Sequence, residues 1–490
     1  MTRFRILLSA SAFALVGGIL LLGLDLPWAL RLLGAVAVVG AWGAPLLLLA
    51  QARARAAALR SNRAATTKDL ASTRRMIESR VDDTRAKQSR HEYHQEQSLA
   101  RIEATVRRLL VSVDGSDVGL ERRHDVLFVT SNGAGLGHIS RLLAIASELP
   151  AHRTYQMLTL SKAYRQVASS GTTIHYFPSS EASGESPARW NAVFARYFRS
   201  LMDEVRPRVV VFDGTWVYTG LTDVCRALGV PLIWVQRGCW KTEVDEASVQ
   251  RHHAITAADE VIVPGDYAGR EDVDNGPDID THYVGPVALT RRADLLDRDA
   301  ACRDLGLDPS RRYVLLNLGG GLLGDPDSIA SAALRLLAEH APDLQPVQVI
   351  SPLAAQQGSD DERVIAVQAY PVARHFRAFD LAIAAAGYNV VQETISLGLP
   401  AILVPNEATK TDDQVRRAEA VAACGLALVA RDEGMLKRTI RHMADAGERR
   451  LLQERLGQIP EANGSVAAAE ALEDMIRRAS WPDASESISE

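Results

Sequence analysis

Cysteine is scarce in this chain: four thiols in 490 residues, Cys225, Cys239, Cys302 and Cys424, stand far apart with no metal-ligand spacing. That excludes a disulfide framework and a cysteine-based metal site, and it suits thiols kept reduced in the cytoplasm. Extended basic clusters are missing beyond residue 124 and the formal net charge is -5, so nucleic acid is not an expected partner. No Asp-x-Asp pair falls in a loop placed to hold a nucleotide through a divalent ion, and neither a metal nor a cofactor is expected. Proline and glycine are absent from residues 51–113, which removes every strong turn signal and leaves a long helix as the reading.

Charge is absent from residues 6–24, and residues 28–50 carry only Arg31. At about 1.5 Å of rise per residue, each segment is long enough for a hydrocarbon core of about 30 Å. Asp25 and Pro27 suit a turn between them, so a transmembrane helical hairpin is expected over residues 1–50. The second apolar segment argues against a cleaved signal peptide. Arg3 and Arg5 precede the pair and Arg53, Arg55, Arg60 and Arg63 follow it, which places both ends in the cytoplasm. The expected localisation is therefore the cell membrane, multi-pass with two spans, with the lipid bilayer as a partner and the catalytic domains cytoplasmic. Residues 51–115 read as a helical stalk. Within it Leu99, Ile102, Val106, Leu109 and Val113 recur at three and four, a coiled-coil seam that can pair two copies into a homodimer. Residues 481–490 form an acidic tail with the composition of disorder.

What remains exceeds one typical domain and suits two Rossmann-like units, at 124–286 and 287–475. The richest stretch is 379–429. A short apolar strand at 381–385 runs into Gly387, and a helix begins at Tyr388, Asn389 and Val390, so backbone N–H groups at a helix N-terminus face whatever lies above the strand, an arrangement suited to a diphosphate. Glu393 follows Asn389 by four residues and lies on the same helical face, where a carboxylate can accept hydrogen bonds from a ribose diol. A second strand, AILVP, leads to a polar loop ending in Asp412, Asp413 and Gln414, side chains able to bind sugar hydroxyls. Upstream, DVLFVTSNGAGLGHIS reads as a strand, a glycine turn through Gly133, Gly135 and Gly137, and a helix that opens on His138. His138 thus stands at the carboxyl edge of a strand, where open α/β sheets bind ligands. It either acts as a base or caps the helix. Asp213 also ends a strand, so it can meet and orient His138 or cap the helix that follows. Arg237 is a possible phosphate or acceptor contact or a solvated loop charge. The run Gly319, Gly320 and Gly321 after YVLLNL lets the backbone approach a ligand closely, or serves only as a tight turn.

The series AGYN, Glu393, GLPAILVP and Asp413-Gln414 resembles the donor-binding signature of the UDP-glycosyltransferase superfamily. It is also similar to the matching region of the peptidoglycan N-acetylglucosaminyltransferase and of monogalactosyldiacylglycerol synthases. The resemblance covers residues 124 to 475. It implies an α/β chain of GT-B fold, two Rossmann-like domains facing a cleft, with a UDP-sugar held mainly by the C-terminal one and transferred without a metal. In the same family the turn ending at Gly137-His138 resembles G-x-x-G-H, whose His is the proposed general base, and an Asp in the setting of Asp213 pairs with it. One departure stands out: the plant-type signature places a His where this chain has Ala385, so a phosphate contact must come from elsewhere. The expected function is inverting transfer of a hexosyl or N-acetylhexosaminyl group from a UDP-sugar to a lipid-linked or envelope glycan acceptor. The alternatives are a nucleotide-sugar-binding GT-B scaffold without transferase activity and a UDP-sugar 2-epimerase.

Overall fold

The computed structural model describes residues 123–131, 137–161, 172–267, 275–318, 329–350 and 361–480. These residues build two parallel sheets. The first joins β1 (Val126–Thr130), β2 (Tyr155–Thr159), β3 (Ile174–Tyr176), β4 (Val209–Asp213), β5 (Leu232–Val235), β6 (Glu260–Gly265) and β7 (Asp280–Pro286) in the order 3-2-1-4-5-6-7. The second joins β8 (Arg312–Asn317), β9 (Leu344–Val349), β10 (Ile365–Val367), β11 (Leu381–Ala385), β12 (Ala401–Val404) and β13 (Leu428–Val429) in the order 10-9-8-11-12-13. Both orders reverse beside their first strand, and the crevice at such a reversal, above the carboxyl ends, is where doubly wound sheets take ligands. His138 and Asp213 follow the strands flanking the first reversal, β1 and β4; Gly387 follows β11, which flanks the second together with β8.

Parallel strands are covered on both faces, so they read as continuous apolar runs. In β1, Val126 and Phe128 pack into one core cluster and Leu127 and Val129 into another on the opposite face, the period-two alternation of a pleated strand. The helices are amphipathic. Helix α1 (Gly137–Ala146) buries Ile139, Leu142 and Ile145 against the first sheet. Helix α2 (Pro187–Val205) is capped by Ser186 with proline in its first turn, and buries Trp190, Phe194, Phe198, Leu201, Met202 and Val205 as one stripe. Helix α3 (Thr219–Leu228) follows β4. In the second half, α4 (Tyr388–Leu397) follows β11 and α5 (Gln414–Ala423) follows β12. The last helix, α6 (Gly464–Arg478), leaves the second sheet and packs on the first: Ala468, Ala469, Leu472, Met475 and Ile476 join the core beneath β1 and α1. Arg153 holds it by a two-pronged pair with Glu473 at 2.9 and 2.6 Å. Its start crosses the end of β7 so closely that a Cβ built on Gly464 runs into the Gly285 carbonyl.

Several sequence expectations lie outside the described residues: the hairpin at 1–50, the stalk and coiled coil at 51–115 with the homodimer they implied, the tail at 481–490, and the glycines Gly133, Gly135, Gly319, Gly320 and Gly321. The expected multi-pass localisation is corrected. Among the described residues no helix is long and apolar enough to cross a membrane. The physical reason is visible in α2: at 19 residues it has the length, but its outer face carries Arg189, Arg196, Arg199, Asp203 and Glu204, so its apolar stripe serves a protein core.

Candidate active site

His138 sits in the first turn of α1 and Asp213 at the tip of β4, in adjacent strand–helix units. Asp213 Oδ1 lies 2.7 Å from His138 Nδ1. The carboxylate is fully buried and also receives the Arg141 guanidinium, Nε to Oδ2 at 2.7 Å and Nη2 to Oδ1 at 2.6 Å. Burial alone raises a carboxyl pKa, but here the Arg141 and His138 charges outweigh it and hold Asp213 below its ordinary value. An ionised Asp213 can only accept, so His138 donates from Nδ1 and leaves Nε2 as an acceptor. Helix α3 is not capped by Asp213; its N-cap is Tyr218, without a side-chain cap bond. Arg141 went unseen in the sequence, although it is one helical turn from His138 on the same face, the spacing at which two side chains share a target.

The second sheet closes over this cluster. Asn389 donates from Nδ2 to the Gly137 carbonyl at 3.0 Å, which brings the start of α4 onto the start of α1. The N-cap of α4, Gly387, supplies no side-chain cap, so the first N–H groups, at Tyr388, Asn389 and Val390, keep the positive end of the helix dipole open to the cleft. Tyr388 itself is turned inward. Its buried hydroxyl donates to the Gly265 carbonyl at 2.7 Å and accepts from Val287 N–H at 3.0 Å, and its ring is approached by the guanidiniums of Arg141, 5.1 Å from its centroid, and Arg417, 5.9 Å from it. Tyr388 thus joins the two halves of the chain through its side chain. Glu393 lies one turn deeper, half-buried, with its pKa pushed up to about 7 by burial. No hydrogen bond to its carboxylate occurs among the described residues.

The polar loop before α5 is more committed than its sequence suggests. Asp412 is buried and paired with Arg417 at 2.9 and 3.2 Å, so it is spoken for as a sugar contact. Arg417 also bonds Asp266 at 2.9 Å and the Ala386 carbonyl at 3.1 Å. Asp413 caps α5 by accepting from Arg416 N–H at 2.9 Å, and Gln414 accepts from Asn406 N–H at 3.0 Å. Residues 411–413 are also tied to the first half. Asp412 and Trp240 form an antiparallel bridge, Asp413 N–H donates to the Cys239 carbonyl at 2.8 Å, and Lys241 N–H to the Thr411 carbonyl at 2.8 Å. Arg237 reaches into the same space. Its nearest acidic partner is Asp412 at 3.6 Å, already shared with Arg417, and burial, reinforced by Arg417 and Arg141, pulls its pKa below the usual value. An incompletely paired, desolvated guanidinium of this kind favours an incoming anion. Arg417 was also unseen in the sequence, because its partners Asp266 and Ala386 are remote along the chain.

Residues 352–470 match the family described as Glycosyltransferase family 28 C-terminal domain. The chain is a glycosyltransferase of GT-B fold. Over 337 residues it is 25% identical to the lipid-A-disaccharide synthase of Syntrophotalea carbinolica, covering 65% of this chain and 82% of the relative. It is 26% identical to the UDP-N-acetylglucosamine–N-acetylmuramyl-(pentapeptide) pyrophosphoryl-undecaprenol N-acetylglucosamine transferase of Clavibacter michiganensis, over 72% of this chain and 96% of that one. Among solved structures it resembles a UDP-glucosyltransferase from Polygonum tinctorium with a TM-score of 0.52 at 15% identity, over 72% of this chain and 99% of that one. In the glycosyltransferase the paired sheets thus carry His138 and Asp213 on one side of the cleft and the α4 and α5 residues on the other.

Proposed function

We propose that this glycosyltransferase moves a hexosyl or N-acetylhexosaminyl group, with inversion, from a UDP-sugar to a lipid-linked or envelope glycan acceptor. The observation that carries the reading is the contact of Asn389 with Gly137, which puts the helix start suited to a diphosphate beside the residue preceding the base. Relatives named for transfer onto a pyrophosphoryl-undecaprenol intermediate and for lipid A synthesis support the acceptor class.

In this reading Glu393 accepts from the ribose diol, and the start of α4 with Arg237 faces the diphosphate, taking the place of the absent His at Ala385. Asp413 offers the hexose its second carboxylate oxygen, and Gln414 lies beside it. His138 Nε2 removes the acceptor hydroxyl's proton as that oxygen forms a bond to the anomeric carbon. The bond from that carbon to the β-phosphate oxygen breaks on the opposite face, and UDP leaves with the electron pair. Asp213 holds His138 in the tautomer this requires and stabilises the imidazolium formed; Arg141 keeps Asp213 ionised and fixed.

The test is His138→Ala. Transfer from UDP-N-acetylglucosamine to a prenyl-diphosphate-linked N-acetylmuramic acid should fall by about 10²- to 10⁴-fold, with UDP affinity by calorimetry within a few-fold of the parent. Near-normal turnover would reduce His138 to a structural residue and turn the reading toward a scaffold.

A further inference from the structure

Trp216 is a side chain at this site that the transfer chemistry leaves unexplained. It is 46% exposed, one of few large apolar side chains so open among the described residues. It stands three residues beyond Asp213, so its Cα lies within about 11 Å of the Cα of the residue that orients the base. The ring is firmly backed. It meets Trp240 edge to face, with centroids 5.8 Å apart and planes at 80°. Trp240 is buried, donates its indole N–H to the Arg237 carbonyl at 2.8 Å, and lies under the Arg251 guanidinium at 4.5 Å. The next residue, Val217, has its N–H and carbonyl held by the Gln250 amide at 3.0 and 2.9 Å. An indole backed by Trp240, with its neighbour's backbone pinned by Gln250 and 46% of its surface open, is displayed from the segment that follows β4 in the sheet that carries His138.

We infer that Trp216 is the platform of an acceptor subsite and stacks on the apolar C–H face of a pyranose ring, the ring whose hydroxyl is delivered to His138. The inference rests on the transferase reading above. Indole suits this role because it buries a large apolar face with only two side-chain torsions to restrain, and the pyranose is the one part of a glycan acceptor with a flat apolar face to offer. Trp240 connects the platform to closure, since the residue that backs Trp216 also bridges to Asp412. The acceptor seat is thus continuous with the strand pairing that draws the donor loop onto the first sheet.

The full chain, saturated with UDP, is examined by saturation-transfer NMR on the ring protons of the methyl β-pyranosides of glucose, N-acetylglucosamine and N-acetylmuramic acid, with farnesyl diphosphate as the non-sugar control. At least one pyranoside should give a saturable signal that weakens about tenfold or more in Trp216→Leu and returns in Trp216→Tyr, while UDP affinity stays the same in all three proteins. No Trp216-dependent signal from any pyranoside, or a Trp216-dependent signal from farnesyl diphosphate alone, overturns the platform. A parent chain that fails to bind UDP counts against the UDP-sugar reading instead, and the same titration without UDP then decides the role of Trp216.

Discussion

Replacing Asp213 by Asn keeps the shape of the side chain and removes its charge, and the structure assigns the loss to two separate accounts. The first is stability. Asp213 receives two bonds from Arg141, at 2.7 and 2.6 Å, in a fully buried setting. Without the carboxylate, Arg141 is an uncompensated buried cation, a defect that typically costs about 3–5 kcal/mol against a net stability of about 5–15 kcal/mol. The second is catalysis. An amide at position 213 can present its NH₂ to His138 Nδ1, which moves the imidazole proton to Nε2, the atom that has to accept one. Turnover should then fall by about 10²- to 10⁴-fold, with UDP binding little changed. Denaturant midpoints and transfer rates are measured for Asp213→Asn and for the double variant Asp213→Asn/Arg141→Met. In the double variant the stranded charge is gone, so most of the lost stability should return while the rate stays low. A single variant as stable as the parent, or a double variant with parental turnover, would refute the triad as described.

Glu393 should titrate where it can be seen. Its folded pKa of about 7 lies above the ordinary carboxyl value, so the stability it contributes is fully present below about pH 4.5 and is lost as pH rises through about 7. A ribose diol donates to the ionised form; uridine affinity should therefore rise between pH 6 and 8 with proton release, measured by calorimetry in buffers of different ionisation enthalpy, and a Glu393→Gln variant with the same pH profile would remove Glu393 from the ribose. Arg237→Gln should weaken UDP more than uridine, since among the described residues its guanidinium's one ion pair is with Asp412 at 3.6 Å; equal weakening of both ligands would place it away from the diphosphate. Gly464→Ala should lower the denaturant midpoint by an amount equivalent to about 3 kcal/mol, the upper range for overpacking, because the added methyl meets the Gly285 backbone. An unchanged midpoint would mean that the crossing of α6 over β7 is looser than it is drawn.

The chain's local patterns already determined much of this. Apolar runs of strand length, each followed by a helical stretch, specify parallel sheets because both faces of each strand must be buried. The turns into His138 and Asn389 place those residues at carboxyl edges whatever the rest of the chain does. Periodicity reports only near neighbours, however, and the pairs that define the site are remote: His138 with Asp213 is separated by 75 residues and Asn389 with Gly137 by 252. Tertiary structure alone decided that Arg141 completes the His–Asp pair, that Tyr388 turns inward beside two guanidiniums, and that Asp412 is consumed by Arg417. In each case a buried charge or hydroxyl must find a partner, and packing chooses it: between neighbouring strand–helix units for Arg141 and Asp213, within one loop and helix for Asp412 and Arg417, and across the two halves for Tyr388. The apolar residues 6–50 mark the opposite limit. Length and hydropathy lead to the hairpin expected there, and those residues lie outside the described ones.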